Sequence, residues 1–266
     1  MSQQTVQSDM DALRESMQKF ADDKKLEIEL LKDKEDYRKE FIGNISHELK
    51  TPLFTIQGYV LTLLEGAVED KNVRQKYLKR TAKGVERLIY VVKDLDLITQ
   101  FESGIKTIDR SYFDIIQLIE NVFDLLEMQA IKNKIEIAFD KKYDFPQMVF
   151  ADEERIQQVL TNLIINSLKY GIENGKTEVA VQELNAEKII IRIKDNGEGV
   201  SEEHLPRLFE RFYRVDKSGN RKAGGSGLGL AIVKHIIEAH QEKLFVESEP
   251  GVGSEFSFTL QRAPKK

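Results

Sequence analysis

The sequence predicts a multidomain α+β protein: a long helical hairpin that dimerises into a four-helix bundle, followed by an α/β sandwich with a mixed sheet. Two observations lead to this prediction. Residues 1 to about 101 carry an almost continuous helical pattern, and Pro52 is the only proline there. From Ile108 onward, short runs typical of strands alternate with segments of helical periodicity, as in a sheet covered by helices.

The start of the first helix has the apolar spacing of a coiled coil. Apolar residues recur at intervals of three, four and three, which is the a/d pattern. They are Met10, Leu13, Met17 and Phe20. The pattern falters at residues 22–25 and resumes in a shifted register. A helix that transmits a change of register and an ordinary dimerising helix both fit this pattern.

A second long helix follows a predicted turn at residues 66–72, which read GAVEDKN. Its apolar face is too wide to be buried by two helices alone, so we expect pairing with a second copy of the chain. That face comprises Tyr77, Leu78, Ala82, Val85, Leu88, Ile89, Val92, Leu95 and Ile98. Residues 99–107, TQFESGIKT, predict a linker.

Strands and helices of ordinary length are predicted beyond the linker. The strands are Glu136–Phe139, Val179–Glu183, Ile189–Lys194, Leu244–Glu247 and Glu255–Leu260. The helices are Ile115–Ala130, Glu153–Tyr170, Glu202–Phe212 and Leu228–His240. Neighbouring strands among separate helices favour a mixed sheet.

Composition excludes several classes of function. The net charge of −5 gives no basic surface of the kind that binds nucleic acid, so we expect no nucleic-acid partner. The chain has no cysteine, which excludes disulfides, thiolate catalysis and zinc–thiolate sites. No stretch reaches the ~18 apolar residues of a membrane span, and the N-terminus lacks the pattern of a signal peptide.

A first candidate site lies on the predicted helix Glu153–Tyr170. Asn162 and Asn166 are four residues apart on one face, and Lys169 follows three residues later. Two amides and an ammonium could hold a hydrated magnesium ion and phosphate oxygens, since Mg²⁺ needs few protein ligands. A plain polar helix face is an equally good interpretation of these residues taken alone.

A second candidate site follows the apolar strand KIIIRIK. Asp195 ends this strand, and Gly197 and Gly199 come directly after it. The carboxylate could accept a hydrogen bond from an exocyclic amine while the glycines let the backbone close around a ring. Taken alone, Asp-Asn-Gly is better explained as a simple turn.

A third motif is the glycine-rich segment 224–229, which runs directly into an amphipathic helix. Bare amides and a positive helix end would face a phosphate there, although the lysine and hydroxyl of a P-loop are missing. Residues 215–225 before it are basic and could form a lid over a nucleotide. Residues 209–214, FERFYR, place aromatic side chains and Arg214 at the base of that lid.

In combination, these motifs resemble the N, G1, F and G2 boxes of the histidine kinases, which occur in this order over about 70 residues. They resemble the gyrase-type and Hsp90-type ATPases more distantly. Residues 41–53, FIGNISHELKTPL, are similar to the H-box of the histidine kinase phosphoacceptor domain. The resemblance covers about residues 40–260, with Ser167 standing where alanine is usual and Ser226 where threonine or serine is usual.

For the phosphoacceptor domain, the resemblance implies that His47 is the phosphorylated residue. A neutral imidazole is a competent nucleophile near pH 7. Glu48 resembles the family's acidic base, and Thr51 resembles the threonine that positions water when the partner protein is dephosphorylated. A plain helix-surface threonine remains an alternative for Thr51. Pro52 is expected to bend the helix after His47.

For the second domain, the resemblance implies an ATP site with Mg²⁺. Asp195 would bind the adenine amine in a pocket shaped by Gly197 and Gly199, and Tyr170 would flank the ring. Asn166 would hold Mg²⁺ with Asn162 near it. The remaining expected nucleotide-binding residues are Lys169, Arg214, Gly225, Gly227, Leu228 and Gly229.

The expected organisation is a coiled-coil signalling helix at 1–39, a dimerisation and phosphoacceptor domain at 40–101 and a linker at 102–107. An ATP-binding domain at 108–262 and a tail at 263–266 complete it. The resemblance implies a homodimer and a response regulator receiver domain as partner. Most proteins it resembles are membrane receptors, so we expect the cytoplasmic portion of a longer protein of the bacterial inner membrane, with a soluble kinase as the alternative.

Other functions remain open from the sequence. An ATPase of the gyrase or Hsp90 type would use the same pocket, although it would leave FIGNISHELKTPL unexplained. A non-catalytic dimeric scaffold or phosphatase would bind ATP only as a regulator. The stimulus, and whether a subunit phosphorylates itself or its neighbour, are not encoded in these patterns.

Overall fold

A computed structural model describes residues 2–102, 108–215 and 227–264 of the chain. The chain divides into two compact units, Met1–Thr81 and Ala82–Lys266. The division falls within the second long helix, so that helix contributes residues to both units. No helix in the described ranges combines the length and apolar character needed to cross a lipid bilayer.

The first unit is built on a helical hairpin, as the sequence predicts. Helix α1 (Ser2–Leu64) continues through Pro52, and α2 (Lys71–Glu102) begins after a turn and a short 3-10 helix, Ala67–Glu69. Gly66 supports the turn with a φ of 111°, which a residue with a side chain rarely adopts. The Asp70 carboxylate accepts the Asn72 N–H at 2.8 Å and so caps the start of α2.

Aromatic and cationic side chains join the two helices next to this turn. The Tyr59 and Tyr77 rings lie 4.9 Å apart, and the Arg80 guanidinium donates to the Tyr59 hydroxyl at 3.0 Å. Near the other end of α1, Met17 and Phe20 are exposed, whereas the side chains of Met10 and Leu13 lie outside the described part. The exposed apolar spacing therefore still fits a surface that a second helix could cover.

The linker prediction is partly wrong. Residues 99–102 belong to α2, because Thr99 continues the helical ladder and its hydroxyl donates to the Leu95 carbonyl at 2.8 Å. The rest of the predicted linker, 103–107, lies outside the described residues.

The second unit contains the predicted mixed sheet. Its order is β2-β4-β5-β7-β6, and β2 pairs with β4 in parallel while the other pairs are antiparallel. The bounds are β2 (Glu136–Phe139), β4 (Lys176–Glu183), β5 (Lys188–Asp195), β6 (Leu244–Glu249) and β7 (Gly253–Gln261). All five predicted strands are confirmed, most of them one to three residues longer than predicted at one or both ends.

A separate two-stranded antiparallel sheet was not predicted. It joins β1 (Ser111–Asp114) to β3 (Met148–Ala151). Each strand has only four residues, too few to show a clear alternation of apolar and polar positions. Their pairing depends on contact across the intervening chain.

Three helices form the layer that packs on one face of the large sheet. These are α3 (Ile115–Asn133), α4 (Glu153–Tyr170) and α5 (Gly229–Ala239), with α4 lying between the other two. Apolar residues from both layers are fully or almost fully buried and form the core, among them Ile119, Leu160, Ile164, Val179, Ile191, Ile193, Ile232 and Phe258. The predicted fold class is confirmed for the helical hairpin and for the α/β sandwich with a mixed sheet, and the four-helix bundle of a dimer stays a prediction.

The predicted helix Glu202–Phe212 is wrong. The chain forms a 3-10 helix at Glu202–Arg207 and then turns, with Phe212 at a φ of 62°. Pro206 lies inside this segment and has no N–H to donate to an α-helical ladder. The apolar residues of segment 202–212 therefore anchor a turn and do not form one face of an α-helix.

Candidate functional site

Asp195 is a buried carboxylate at the end of the central strand β5. Its side chain accepts hydrogen bonds from the Gly197 N–H at 2.9 Å and the Ser254 N–H at 3.3 Å, and both reach the same oxygen, Oδ1. An ionised carboxylate has about four acceptor positions, so the group keeps capacity for further donors. Burial raises the pKa of Asp195, while these two N–H groups and the Ser167 hydroxyl act in the opposite direction.

The two glycines after Asp195 permit close approach of the backbone. A side chain at Gly197 would collide with the Tyr170 carbonyl and come 2.8 Å from Asp195 Oδ1. Gly199 has a φ of +68° and lies against the backbone of Glu249. The Asp-x-Gly-x-Gly pattern is therefore more than a generic turn, because each glycine has a steric reason to lack a side chain.

The polar face of α4 lies beside this turn. The Tyr170 carbonyl at the end of α4 accepts the Glu198 N–H at 3.1 Å, which joins the helix to the glycine segment. Asn166 is half-buried one turn earlier, and its amide makes no hydrogen bond to any other residue that the structure describes. Lys169 donates to the Tyr170 hydroxyl at 2.8 Å and lies 4.5 Å from the centre of that ring.

Helix α5 begins next to the same face of α4. The Asn162 amide donates to the Gly229 carbonyl at 3.4 Å, which brings the first predicted motif against the glycine-rich one. Leu228 is fully buried and anchors the start of α5, and Arg214 is half-buried.

A hydrogen bond closes the base of the segment between the aromatic motif and α5. The Phe212 N–H donates to the Gly227 carbonyl at 2.9 Å. Gly227 has a φ of +74°, and a side chain there would come 2.8 Å from the Phe212 Cα. Of the expected lid at 215–225, Val215 is exposed, and residues 216–225, Gly225 among them, lie outside the described residues.

Three polar residues of this site were missed by the sequence analysis as parts of the site. Ser254 on β7 supplies an N–H to Asp195, and the Ser167 and Thr177 hydroxyls lie 2.9 Å apart behind it. Ser254 is 59 residues from Asp195 in the chain, so only the strand register could have placed it there. Ser167 carried the one available signal, because it departs from the family's usual alanine.

His47 lies in the first unit, on α1, where its side chain is exposed and that of Glu48 is half-buried. The Thr51 hydroxyl donates to the His47 backbone carbonyl at 3.1 Å. Pro52 has no N–H to donate to the helical ladder, yet α1 continues through it to Leu64. His47, Glu48 and Thr51 thus lie within little more than one turn of α1.

The second unit thus combines an α/β sandwich with an acceptor at a strand end, amides on a neighbouring helix, and glycines at the start of another. Residues 151–264 match the family "Histidine kinase-, DNA gyrase B-, and HSP90-like ATPase". Residues 37–104 match the "His Kinase A (phospho-acceptor) domain". With both domains in one chain, the protein belongs to the sensor histidine kinases.

Named relatives agree with this assignment. The sensor histidine kinase WalK of Bacillus subtilis is 37% identical over 225 residues, which is 84% of this chain and 36% of that protein. The chain therefore spans about a third of the length of this relative. The Acinetobacter baumannii histidine kinase AdeS has a similar structure, with a TM-score of 0.63 and 27% identity over 83% of this chain and 98% of that one.

A further solved structure shares the fold. The histidine kinase ThkA, solved in complex with the response regulator protein TrrA, gives a TM-score of 0.62 at 23% identity, over 85% of this chain and 62% of that one.

Proposed function

We propose that this chain is the catalytic portion of a sensor histidine kinase that phosphorylates its own His47 with ATP and passes the phosphoryl group to an aspartate of a response regulator. One observation carries the proposal. A buried strand-end carboxylate in a glycine-lined turn, Asp195, occurs in the same chain as an exposed histidine followed by an acid, His47-Glu48. A gyrase-type ATPase would need the first site and leave the second without a role.

In the proposed reaction, a ring nitrogen of His47 attacks the γ-phosphorus of ATP. The bond between that phosphorus and the oxygen that bridges it to the β-phosphate breaks, and ADP leaves. Glu48 accepts the proton from the other ring nitrogen, so the imidazole stays neutral as the new N–P bond forms. The exposure of His47 supports this role, since the nucleophile must meet a nucleotide held by another domain.

At the adenine end of the pocket, Asp195 would accept a hydrogen bond from the exocyclic amine. Gly197 and Gly199 would let the backbone approach the ring, and Tyr170 would flank it. Tyr170 is 44% exposed at the end of α4, so one of its faces is available for such a contact. The unsaturated acceptor capacity of Asp195 supports this assignment.

At the phosphate end, Asn166 would hold Mg²⁺ through its amide oxygen, with Asn162 near it. The ion would offset negative charge on the phosphates. Lys169 and Arg214 would add positive charge there, and for this Lys169 would exchange the Tyr170 hydroxyl for a phosphate oxygen. The remaining contacts would come from the backbone at Gly225, Gly227, Leu228 and Gly229.

A homodimer is proposed from the surface of the helical hairpin. Several large apolar side chains of the first unit are between 49% and 76% exposed, which is costly for a helix that stays alone in water. They include Leu53, Phe54, Leu61, Leu64 and Leu78. A second copy of the hairpin would cover them in a four-helix bundle.

The response regulator and the cellular location complete the proposal. The ThkA–TrrA complex supports a response regulator as the partner. In this proposal its receiver domain takes the phosphoryl group from His47, and Thr51 helps to remove the phosphate again. We place the signalling helix at 1–39, the phosphoacceptor domain at 40–101 and the ATP-binding domain at 108–262. The full-length protein would sit in the bacterial inner membrane with this portion in the cytoplasm.

The test is incubation of the purified chain with γ-labelled ATP and Mg²⁺, followed by acid or base treatment. We expect label that is stable in base, lost in acid and absent from His47→Gln, because phosphohistidine is labile to acid. The Thr62→Ala variant, changed on the same helix away from His47, should label like the wild type. ATP hydrolysis without label on the protein would contradict the proposal and favour a gyrase-type ATPase.

A further inference from the structure

Three polar side chains form a buried cluster behind the adenine end of the proposed pocket. Thr177 on β4 and Asp195 on β5 are directly paired across the two antiparallel strands. Ser167 on α4 lies above them, with its hydroxyl oxygen 2.9 Å from that of Thr177. The exposed fractions of Ser167, Thr177 and Asp195 are only 3%, 0% and 9%.

The proton donors in this cluster can be ordered. A carboxylate only accepts hydrogen bonds, whereas each hydroxyl has one proton to give. The Ser167 hydroxyl is near enough to the Asp195 carboxyl group to act as a donor that lowers its pKa and so favours the ionised form, while the hydrogen bond of normal length that it makes is with Thr177. Either hydroxyl can be the donor in the Ser167–Thr177 bond, and when the Ser167 proton points to Asp195 the donor is Thr177. The three groups form a chain that runs from Thr177 through Ser167 to Asp195.

These three polar groups matter because burial disfavours the ionised form of Asp195. Burial is the largest influence on the pKa of Asp195 and raises it. A protonated carboxyl group would lose acceptor capacity toward an amine. The backbone donors at Gly197 and Ser254 oppose this but bind only Oδ1. Ser167 adds a side-chain donor that acts in the same direction.

We propose that Ser167 and Thr177 are positioning residues that keep Asp195 ionised and oriented, and thereby make the pocket select a purine with a 6-amino group. This inference rests on the proposed function, in which Asp195 receives the adenine amine. A purine with a carbonyl at that position would place an acceptor against the carboxylate and be rejected. The affinity of a purine with no substituent at that position would not depend on whether Asp195 is ionised.

The experiment compares ATP with purine riboside triphosphate, which lacks the amine, by calorimetric binding to the full chain with Mg²⁺. The Ser167→Ala variant should bind ATP about three- to tenfold more weakly. The loss is modest because Ser167 does not contact ATP and acts only through the charged Asp195. Its affinity for purine riboside triphosphate should stay within about twofold of the wild type. Ser257→Ala, which removes another buried serine hydroxyl, is the matched control and should change neither affinity.

A pH series separates positioning from simple structural support. The ratio of the two affinities cancels the titration of the phosphates common to both nucleotides. In the wild type, the preference for ATP should decline as the pH falls through the raised pKa of Asp195. In Ser167→Ala the same decline should occur at higher pH, because one group that lowers this pKa is gone.

Variants at Thr177 keep the inference testable if Ser167→Ala folds poorly. Thr177→Val has nearly the same shape without the hydroxyl and should weaken ATP selectively, while Thr177→Ser should restore it. Equal losses for both nucleotides, or no loss in any variant, would overturn the inference. If the wild type bound neither nucleotide, the proposed function itself would fail, which is a separate result.

Discussion

His47 and Asp195 occupy opposite environments. His47 is exposed on α1, and the residues expected to act with it, Glu48 and Thr51, lie within about one turn of the same helix. Asp195 is 9% exposed, and the groups that bind it come from α4, β7 and the turn after β5. One site is thus encoded by neighbours in sequence, whereas the other exists only after the sheet has formed.

This difference predicts that ATP binding and autophosphorylation can be lost separately, and these losses are the largest effects that we expect. Asp195→Asn replaces an acceptor oxygen by a donor facing the amine and should weaken ATP binding by about 100-fold, as expected for a buried charged acceptor. His47→Gln should bind ATP as the wild type does, yet give no labelled protein. Calorimetry and labelling measure the two properties separately.

A loss of ATP binding in His47→Gln would contradict this separation. So would normal labelling of Asp195→Asn at ATP concentrations that just saturate the wild type. Circular dichroism spectra of both variants provide the control, since neither substitution should alter the helix and strand content.

An intermediate effect is expected at Thr51. Its hydroxyl donates to the His47 carbonyl at 3.1 Å, and the hydroxyl of Thr62 makes the same kind of bond to the Gly58 carbonyl at 2.8 Å. If Thr51 positions water for dephosphorylation, Thr51→Ala should slow removal of phosphate from the response regulator by about tenfold while autophosphorylation changes little. The measurement is the decay of labelled regulator after mixing with unphosphorylated kinase.

Thr62→Ala is the matched control, because it removes an equivalent exposed hydroxyl three turns away. Equal decay rates for wild type, Thr51→Ala and Thr62→Ala would mean that Thr51 is a plain helix-surface residue, as its sequence context alone allows.

The smallest expected effect is a pH-dependent stability of the ATP-binding unit. His240 is buried, its Nε2 accepts the Asp152 N–H at 3.0 Å, and its Nδ1 donates to the Ile236 carbonyl at 2.8 Å. Burial lowers the pKa of His240, and nearby Arg110 adds to this, while the Ile236 carbonyl, Asp152 and Glu242 oppose it. The neutral ring is therefore the form that fits the fold.

Because the folded pKa lies below the ordinary value of about 6.5, this contribution to stability is fully present above that pH and is lost as the pH falls toward the folded pKa. The melting temperature of this unit should drop by a few degrees, on the order of 2–4 °C per kcal/mol, between pH 7.5 and 5.5. His240→Gln should reduce the dependence. An unchanged pH dependence in His240→Gln would assign the effect to other groups.

Much of the fold follows from local pattern. Helices α3 and α4 begin where the sequence predicts, because Asp114 and Asp152 cap them before long apolar periodicities. The helix predicted at Glu202–Phe212 fails because its apolar residues anchor a turn around Pro206. Strands β1 and β3 were missed because four residues carry too little periodicity.

The sequence by itself determined the two domains, their order, and the residue types of both proposed sites, because each motif is a run of neighbouring residues. The motifs alone indicate why a histidine, an acidic residue and glycines stand at the two proposed sites. The tertiary structure decided how Asp195 is held. Its partners Ser254, Ser167 and Thr177 reach it through strand register and helix packing, and such contacts join residues whose separation along the chain leaves no local pattern to detect.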